Sequence, residues 1–192
     1  MRTAVVALGA AALLVALPAL AQPRANLYAA AAAAEAKPLS QAQRMERRFL
    51  QIAAANLRFR AEASRLAATR SNNPAVKDLA NALLARQQTA QPELLRLLHA
   101  RGMAMPIPTN EHGKVLKQLA KLNGAKFDRL YVDEVVMRSY QADIGNYEKV
   151  ALQAQDPVLK AWVDRQLPTL RVHHAKAGKA LPSASLRGQR AV

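Results

Sequence analysis

The stretch FLQIAAANLRFRAEASRLA, residues 49–67, decides the fold class of this chain. Its large apolar residues recur at intervals that place them on one face of a helix turning about 100° per residue: Phe49, Ile52, Phe59 and Leu66. Ser40, followed three residues later by Gln43, matches a capping box at a helix start. The pattern predicts an amphipathic helix from this cap through about residue 70.

Capping residues, prolines and glycines divide the following chain into further helices. Asn73 and Pro74 form a cap with a first-turn proline, which predicts a second helix over about residues 75–101. Pro92 should kink or interrupt this helix, because proline lacks the backbone donor. Gly102 ends the second helix. A shorter helix follows over about residues 111–123, with Gly124 as its stop.

The remaining chain predicts two more long helices. The first covers about residues 127–153, and Asp156 with Pro157 begins the second, which runs to residue 181 with a bend at Pro168. No alternation with a period of two indicates a strand anywhere. The expected fold class is therefore all-α, an antiparallel four-helix bundle with an extra short helix.

The N-terminal stretch MRTAVVALGAAALLVALPALAQP, residues 1–23, is typical of a signal peptide. A positive charge at Arg2 precedes an uncharged apolar run, and Ala19 and Ala21 form a small-x-small cleavage pattern. We therefore predict a signal peptide over residues 1–21, a mature start at Gln22 and no transmembrane span after cleavage. The alternative is an uncleaved membrane anchor, for which the run is slightly short and rich in alanine.

Composition divides the exported part further. Residues 22–40 read as an Ala-rich linker, residues 41–181 as the helical domain and residues 182–192 as a disordered basic tail. The sequence contains no cysteine, which excludes disulfides, thiol chemistry and a lipid-modified cysteine. The predicted signal peptide leads us to expect localisation in the periplasm, with outer-membrane association as an extension of that expectation.

The charge balance points to anionic partners. The formal net charge is +15, and removal of Arg2 with the signal peptide lowers it to +14. Such an excess favours anionic lipid or polysaccharide of the envelope. Nucleic acid is not expected, because the protein is exported and its aromatic content of 4% supplies few stacking surfaces.

Four stretches of the chain, in this order, resemble a known bacterial family. They are FLQIAAANLRFRAEASRLA, NNPAVKDLANALL, FDRLY and LPTLRVHHAKAGKAL, and the resemblance covers about residues 46–181. The family is the exported domain of unknown function 4142, whose members are often labelled outer membrane proteins. The resemblance implies a ferritin-like helical bundle.

The resemblance also implies polar positions, and most of them differ here. A Glu expected in the first helix falls near Arg60, and an Asp-His pair expected late in the second helix falls at Arg86-Gln87. A second Asp-His pair falls at about Arg138-Ser139 or Ser139-Tyr140. Only His173 remains at a family-matching polar position. If other members use these residues as a site, this chain has largely lost it.

No metal-ligand set is predicted. A ferritin-like di-iron centre requires Glu-x-x-His pairs, and the sequence contains neither Glu-x-x-His nor Asp-x-x-His. His173 and His174 are helical neighbours about 100° apart, so they diverge from a common ion. We expect His173 to be a boundary histidine bonded to a neighbouring helix, with a ligand or pH-sensing role as the alternative. His99 and His112 are expected to face solvent.

No catalytic residue or cofactor is predicted either. We expect the acidic residues Asp128, Asp133 and Glu134 to lie on a solvent-exposed helix face and to form ordinary ion pairs. Trp162 is expected in the core, and Asn56 is expected to bond another helix from the apolar face. No nucleophile motif, phosphate loop or zinc spacing is present.

Arginines of the first helix form the one candidate binding surface. They fall within about a third of the helix circumference at about 100° per residue: Arg44, Arg47, Arg48, Arg58 and Arg65. Guanidinium groups match phosphate and carboxylate oxygens in a bidentate geometry, so the stripe is a possible anion-binding site. A solubilising surface is the alternative.

Three functions remain open at this point. We favour a non-enzymatic, exported bundle that associates with anionic envelope components. The alternatives are a ferritin-like metal, redox or stress protein with a degenerate site, and a helical scaffold that binds another protein.

Overall fold

The computed structural model describes residues 38–181, of which the compact unit begins at Ser40. These residues form five helices and no strand. They are α1 (Gln41–Arg70), α2 (Pro74–His99), α3 (Asn110–Lys121), α4 (Gly124–Gln153, in three consecutive segments) and α5 (Pro157–Ala180). The predicted signal peptide, most of the linker and the predicted tail lie outside the described residues.

The helices begin and end within about three residues of the predicted positions, and the largest difference is the start of α4 at Gly124 instead of about residue 127. The Ser40 backbone N–H donates to Gln43 Oε1 across 2.8 Å, and the Gln43 N–H donates back to Ser40 Oγ across 3.1 Å. Asn73 caps α2 and Asp156 caps α5 through their side-chain oxygens. Positive φ values of 62° and 56° occur at the two predicted stop glycines, Gly102 and Gly124.

The helices pack in antiparallel pairs. A three-residue turn joins α1 to α2, another joins α4 to α5, and each pair is in extensive contact. Contacts of α2 with α5 and of α1 with α4 complete the group of four long helices, while the short α3 lies against α1 and α4. The prediction of an all-α antiparallel bundle with one short helix is confirmed, and its ferritin-like classification stays a prediction.

The middle of α4 is π-helical, a feature that its sequence pattern did not predict. Its segments are Gly124–Leu130 (α), Tyr131–Arg138 (π) and Ser139–Gln153 (α). In an uninterrupted α-helix, Tyr140, Asp143 and Tyr147 would lie about 160–220° around from Phe127 at about 100° per residue. All four are buried in the structure. Because i→i+5 bonding unwinds the turn, the π segment rotates the second half of α4 back toward the core.

Both internal prolines lie within continuous helices. Pro92 is inside α2 and Pro168 is inside α5, and both are exposed. The interruption considered at Pro92 is therefore wrong, since α2 continues to His99. On the solvent side, water can bond the backbone carbonyl that proline leaves without a donor.

No helix within residues 38–181 has both the length and the apolar character that a membrane crossing requires.

Candidate functional site

Four helices contribute side chains to a polar cluster inside the bundle. We call it the buried polar cluster and define it as Arg60 of α1, Arg86 of α2, Tyr140 and Asp143 of α4, and His173 of α5. The exposed fractions of these residues are 2%, 7%, 1%, 1% and 7% in that order. Charged side chains are rarely this buried unless they are paired, so each one needs an account of its partners.

Arg60 is paired on three sides. Its Nη2 donates to Asp143 Oδ2 across 2.6 Å, its Nη1 donates to Ser139 Oγ across 2.7 Å, and its guanidinium carbon lies 4.6 Å from the centroid of the Tyr140 ring. Asn56 Nδ2 donates to the other oxygen of Asp143 across 2.6 Å. Burial alone would lower the pKa of Arg60, but attraction mainly from Asp143 outweighs it and the net shift is upward.

Arg86 has only neutral partners. Its Nη2 donates to Gln166 Oε1 across 3.2 Å, and the Tyr147 hydroxyl lies close enough to interact with its charge. Burial raises the pKa of Tyr147 to about 12, against the opposing effect of the Arg86 charge. Within residues 38–181 no carboxylate oxygen lies within 4.0 Å of an Arg86 nitrogen. The Nε atoms of Arg60 and Arg86 are both buried without a hydrogen-bond partner.

His173 bonds a neighbouring helix, as predicted. Its Nδ1 lies 3.1 Å from the Tyr140 hydroxyl oxygen, and the two rings meet edge to face with centroids 5.9 Å apart. It lies deeper than the boundary position predicted for it, at 7% exposed. Burial, followed by the charges of Arg86, Lys176 and Arg60, lowers the pKa of His173 to about 4. The imidazole is therefore neutral at neutral pH.

The other histidines do not join this cluster. His174 is partly exposed and His99 is exposed. The prediction that His112 faces solvent is wrong, because its ring stacks on Phe59 with centroids 4.3 Å apart. Burial is the main cause that lowers the pKa of His112. Within the described part of the chain, no three or more His, Cys, Asp or Glu side chains form a group that could hold a metal ion.

One acid of α4 departs from the prediction of a solvated face. Asp128 is 7% exposed and its Oδ1 has no partner, because this part of α4 packs inside the bundle. Glu134 accepts from Arg138 across 2.8 Å in the expected i,i+4 ion pair. Trp162 is in the core and Asn56 bonds α4, both as predicted.

The predicted arginine stripe divides between the two sides of α1. Arg58 pairs with Glu62 across 2.9 Å, and Arg65 Nη2 donates to Gln87 across 3.3 Å on the side facing α2. Arg47 Nη1 donates to the backbone oxygen of Arg101 across 2.6 Å.

On the other side of α1, the remaining two arginines of the stripe line a groove shared with α4. We call it the basic groove: a cavity of about 600 Å³ whose cationic lining is Arg44, Arg48 and Lys149 and whose apolar lining includes Phe49, Ile52 and Val150. None of its lining residues is acidic. Ile52 is 37% exposed here, although its helical phase predicts the apolar face of α1. The groove therefore offers positive charge beside accessible apolar surface.

Residues 29–180 match the family model described as Domain of unknown function (DUF4142). The chain belongs to this family. The match confirms the predicted resemblance and extends it to most of the chain, while no curated protein and no solved structure matches the DUF4142 chain. The family description names no activity.

Arg60 and Arg86 were expected only as replaced family positions, and their burial in the core was not predicted. A signal for both was present. Arg60 is three residues from Leu57 and Arg86 is three residues from Leu83, so each arginine falls within the apolar face of its helix. An arginine on the apolar face is either buried with hydrogen-bonding partners or a sign that the face was identified wrongly. The structure buries both arginines inside the bundle.

Proposed function

We propose that this DUF4142 protein is an exported, non-enzymatic helical-bundle protein that binds anionic lipid of the bacterial envelope through the basic groove. The observation that carries the proposal is the lining of that groove, in which three cations and no carboxylate stand beside apolar side chains. The net charge of +15 adds a long-range attraction to anionic surfaces.

The chemistry of the groove matches an amphipathic anion. The guanidinium of Arg48 and the ammonium of Lys149, both exposed, are suited to phosphate oxygens. Apolar surface such as that of Ile52 is released from water when an acyl chain covers it, which contributes roughly 25 cal/mol per Å² buried. A polysaccharide would satisfy the cations but leave this apolar surface exposed, so lipid is the preferred partner.

The charge of the buried polar cluster supports a binding role that needs no metal. The cluster contains two guanidinium groups and one carboxylate, which is paired with Arg60, and its net positive charge would repel a metal ion. The proposal therefore assigns no catalytic residue and no cofactor.

Export rests on the N-terminal stretch with its Ala19-x-Ala21 pattern. Intact-mass measurement of periplasmic protein tests it, since a chain that keeps residues 1–21 contradicts the cleaved signal.

The experiment for lipid binding measures co-sedimentation of mature protein with vesicles of phosphatidylglycerol or of phosphatidylcholine alone. We expect binding to the anionic vesicles only, decreasing as salt rises. The variant Arg48→Glu/Lys149→Glu should lose about tenfold or more in affinity, because near-surface cations each contribute on the order of 1 kcal/mol.

The matched control is Arg58→Glu/Arg65→Glu, which changes the net charge equally but on the other side of α1. It should bind within about threefold of wild type, a loss of less than about 0.7 kcal/mol. Equal losses in both variants would assign binding to net charge instead of the groove. Binding to anionic polysaccharide but not to vesicles would replace the lipid, and binding to neither would favour the protein-scaffold alternative.

A further inference from the structure

The buried polar cluster has an unbalanced positive charge. Asp143 neutralises Arg60 in the described ion pair, and its second oxygen is taken by Asn56. Arg86 donates to the neutral side chain of Gln166, and the nearby Tyr147 hydroxyl is neutral as well. His173 adds no negative charge.

The other buried carboxylates do not supply the missing charge. Glu46 accepts from the backbone amides of Gln155 and Asp156 across 2.8 and 3.1 Å. Asp128 forms no ion pair within the described residues. The Arg86 guanidinium is cationic, and it lies inside the bundle at 7% exposure. An uncompensated buried charge is strongly destabilising.

We infer that the buried polar cluster binds a small inorganic anion, held by the guanidinium of Arg86 as a structural counterion. The unpartnered Nε–H groups of Arg60 and Arg86 are donors of the kind that such an anion accepts. Water would satisfy these donors but would leave the charge uncompensated. Because the Arg86 side chain is only 7% exposed, we expect the occupant to be a halide or a small oxyanion and not a phosphorylated metabolite.

The backbone of α4 supports a specialised role for this cluster. Its π segment, Tyr131–Arg138, ends directly before Ser139 and Tyr140 and turns Asp143 toward Arg60. π-Helical turns are rare and occur frequently at functional sites. The inferred anion is independent of lipid binding, since the basic groove lies on the outer side of α1 and α4 and shares no lining residue with the cluster.

The experiment measures the thermal unfolding midpoint at neutral pH and constant ionic strength while gluconate is replaced by chloride, or in parallel by sulfate or phosphate. We expect a saturable rise on the order of 5 °C with the anion that fits, because a ligand bound only by the folded state stabilises it. The anion that gives saturation at the lowest concentration identifies the occupant as halide or oxyanion.

Arg86→Met should abolish this rise. The matched control Arg165→Met should retain it, because the Arg165 side chain is 60% exposed at the α2–α5 surface next to Gln166. A rise that persists in Arg86→Met, or midpoints that are equal in gluconate and in every small anion, would overturn the inference.

A second measurement does not depend on the folding of the variant. Wild-type crystals soaked in bromide and, separately, in selenate should show an anomalous peak within hydrogen-bond reach of the Arg86 guanidinium for at least one of these anions. If neither anion gives a peak there, the inference is wrong.

Discussion

Arg60 and Asp143 form a buried ion pair in which Nη2 and Oδ2 are 2.6 Å apart, joining α1 to α4 between side chains that are 3% and 1% exposed. Arg60 also donates to Ser139 Oγ and Asn56 donates to the second oxygen of Asp143, while Arg60 Nε has no partner among the described residues. Taking two charges out of water is costly, and such a pair is favourable only when its geometry and remaining donors are satisfied. The pair therefore depends on α1 and the second half of α4 being in register.

Removing one member of this pair should be strongly destabilising. Asp143→Ala leaves the Arg60 guanidinium buried without its carboxylate, and we expect the free energy of unfolding to fall by about 3–5 kcal/mol. Chemical denaturation monitored by circular dichroism measures this. The double variant Arg60→Met/Asp143→Leu should lose less than the single one, because no unpaired charge remains.

The matched control is Glu148→Ala, which breaks the ion pair with Arg171, 2.7 Å apart, between side chains that are 45% and 58% exposed. We expect a loss of no more than about 1 kcal/mol there. A similar small loss in Asp143→Ala would show that the buried pair contributes no more than a surface pair.

The low pKa of His173 predicts acid sensitivity. Its pKa is about 4 in the folded protein and about 6.5 in the unfolded chain, so the unfolded state binds the proton first as pH falls. The contribution of His173 is fully present above about pH 6.5 and is lost progressively down to about pH 4. Since one pKa unit corresponds to about 1.4 kcal/mol, this pKa difference corresponds to a loss on the order of 3 kcal/mol.

Unfolding curves measured across this pH range test the assignment. His173→Gln should flatten the pH dependence between these two values, and His99→Gln, an exposed histidine, should leave it unchanged. If both variants keep the wild-type slope, His173 is not the titrating group.

Replacing each of the two adjacent histidines should change the stability of the protein by different amounts and leave its metal content unchanged. His173→Ala removes the bond to Tyr140 and should cost about 1–2 kcal/mol, whereas His174→Ala, at a partly exposed position, should change stability by less than about 0.5 kcal/mol. Metal analysis of purified wild type and of the double variant should give the same substoichiometric content. Stoichiometric metal that disappears in the double variant would restore the metal-protein alternative.

Backbone conformation predicts opposite effects at two glycines. Gly102 has a φ of 62°, so Gly102→Ala should destabilise the domain by about 1 kcal/mol even though its Cβ would meet nothing within 4 Å. Gly113 lies inside α3 with open space around its Cβ, and Gly113→Ala should stabilise the domain by about 0.5–1 kcal/mol. Thermal unfolding distinguishes the signs. Destabilisation of equal size at both positions would contradict this explanation.

Most of the helical architecture was predictable because its signals are local. The Ser40 cap needs only Gln43, three residues away, and Asn73 and Asp156 satisfy backbone donors of their own first turns. The apolar phase of α1 likewise identifies its buried face without reference to any other helix, apart from Ile52 at the edge of the basic groove. Family membership followed from the same residues.

The sequence by itself therefore determined where the helices begin and end, that they pack as a bundle and that the surface is basic. Only the tertiary structure decided how the polar residues are used. In an uninterrupted α-helix, Tyr140 and Asp143 would point away from the core. The π segment of α4 rotates them toward it, and both are buried. Whether Arg60 and Arg86 can be buried depends on partners supplied by other helices, since the cost of a buried charge is set by the distance to its counter-charge. That distance exists only after the helices have packed.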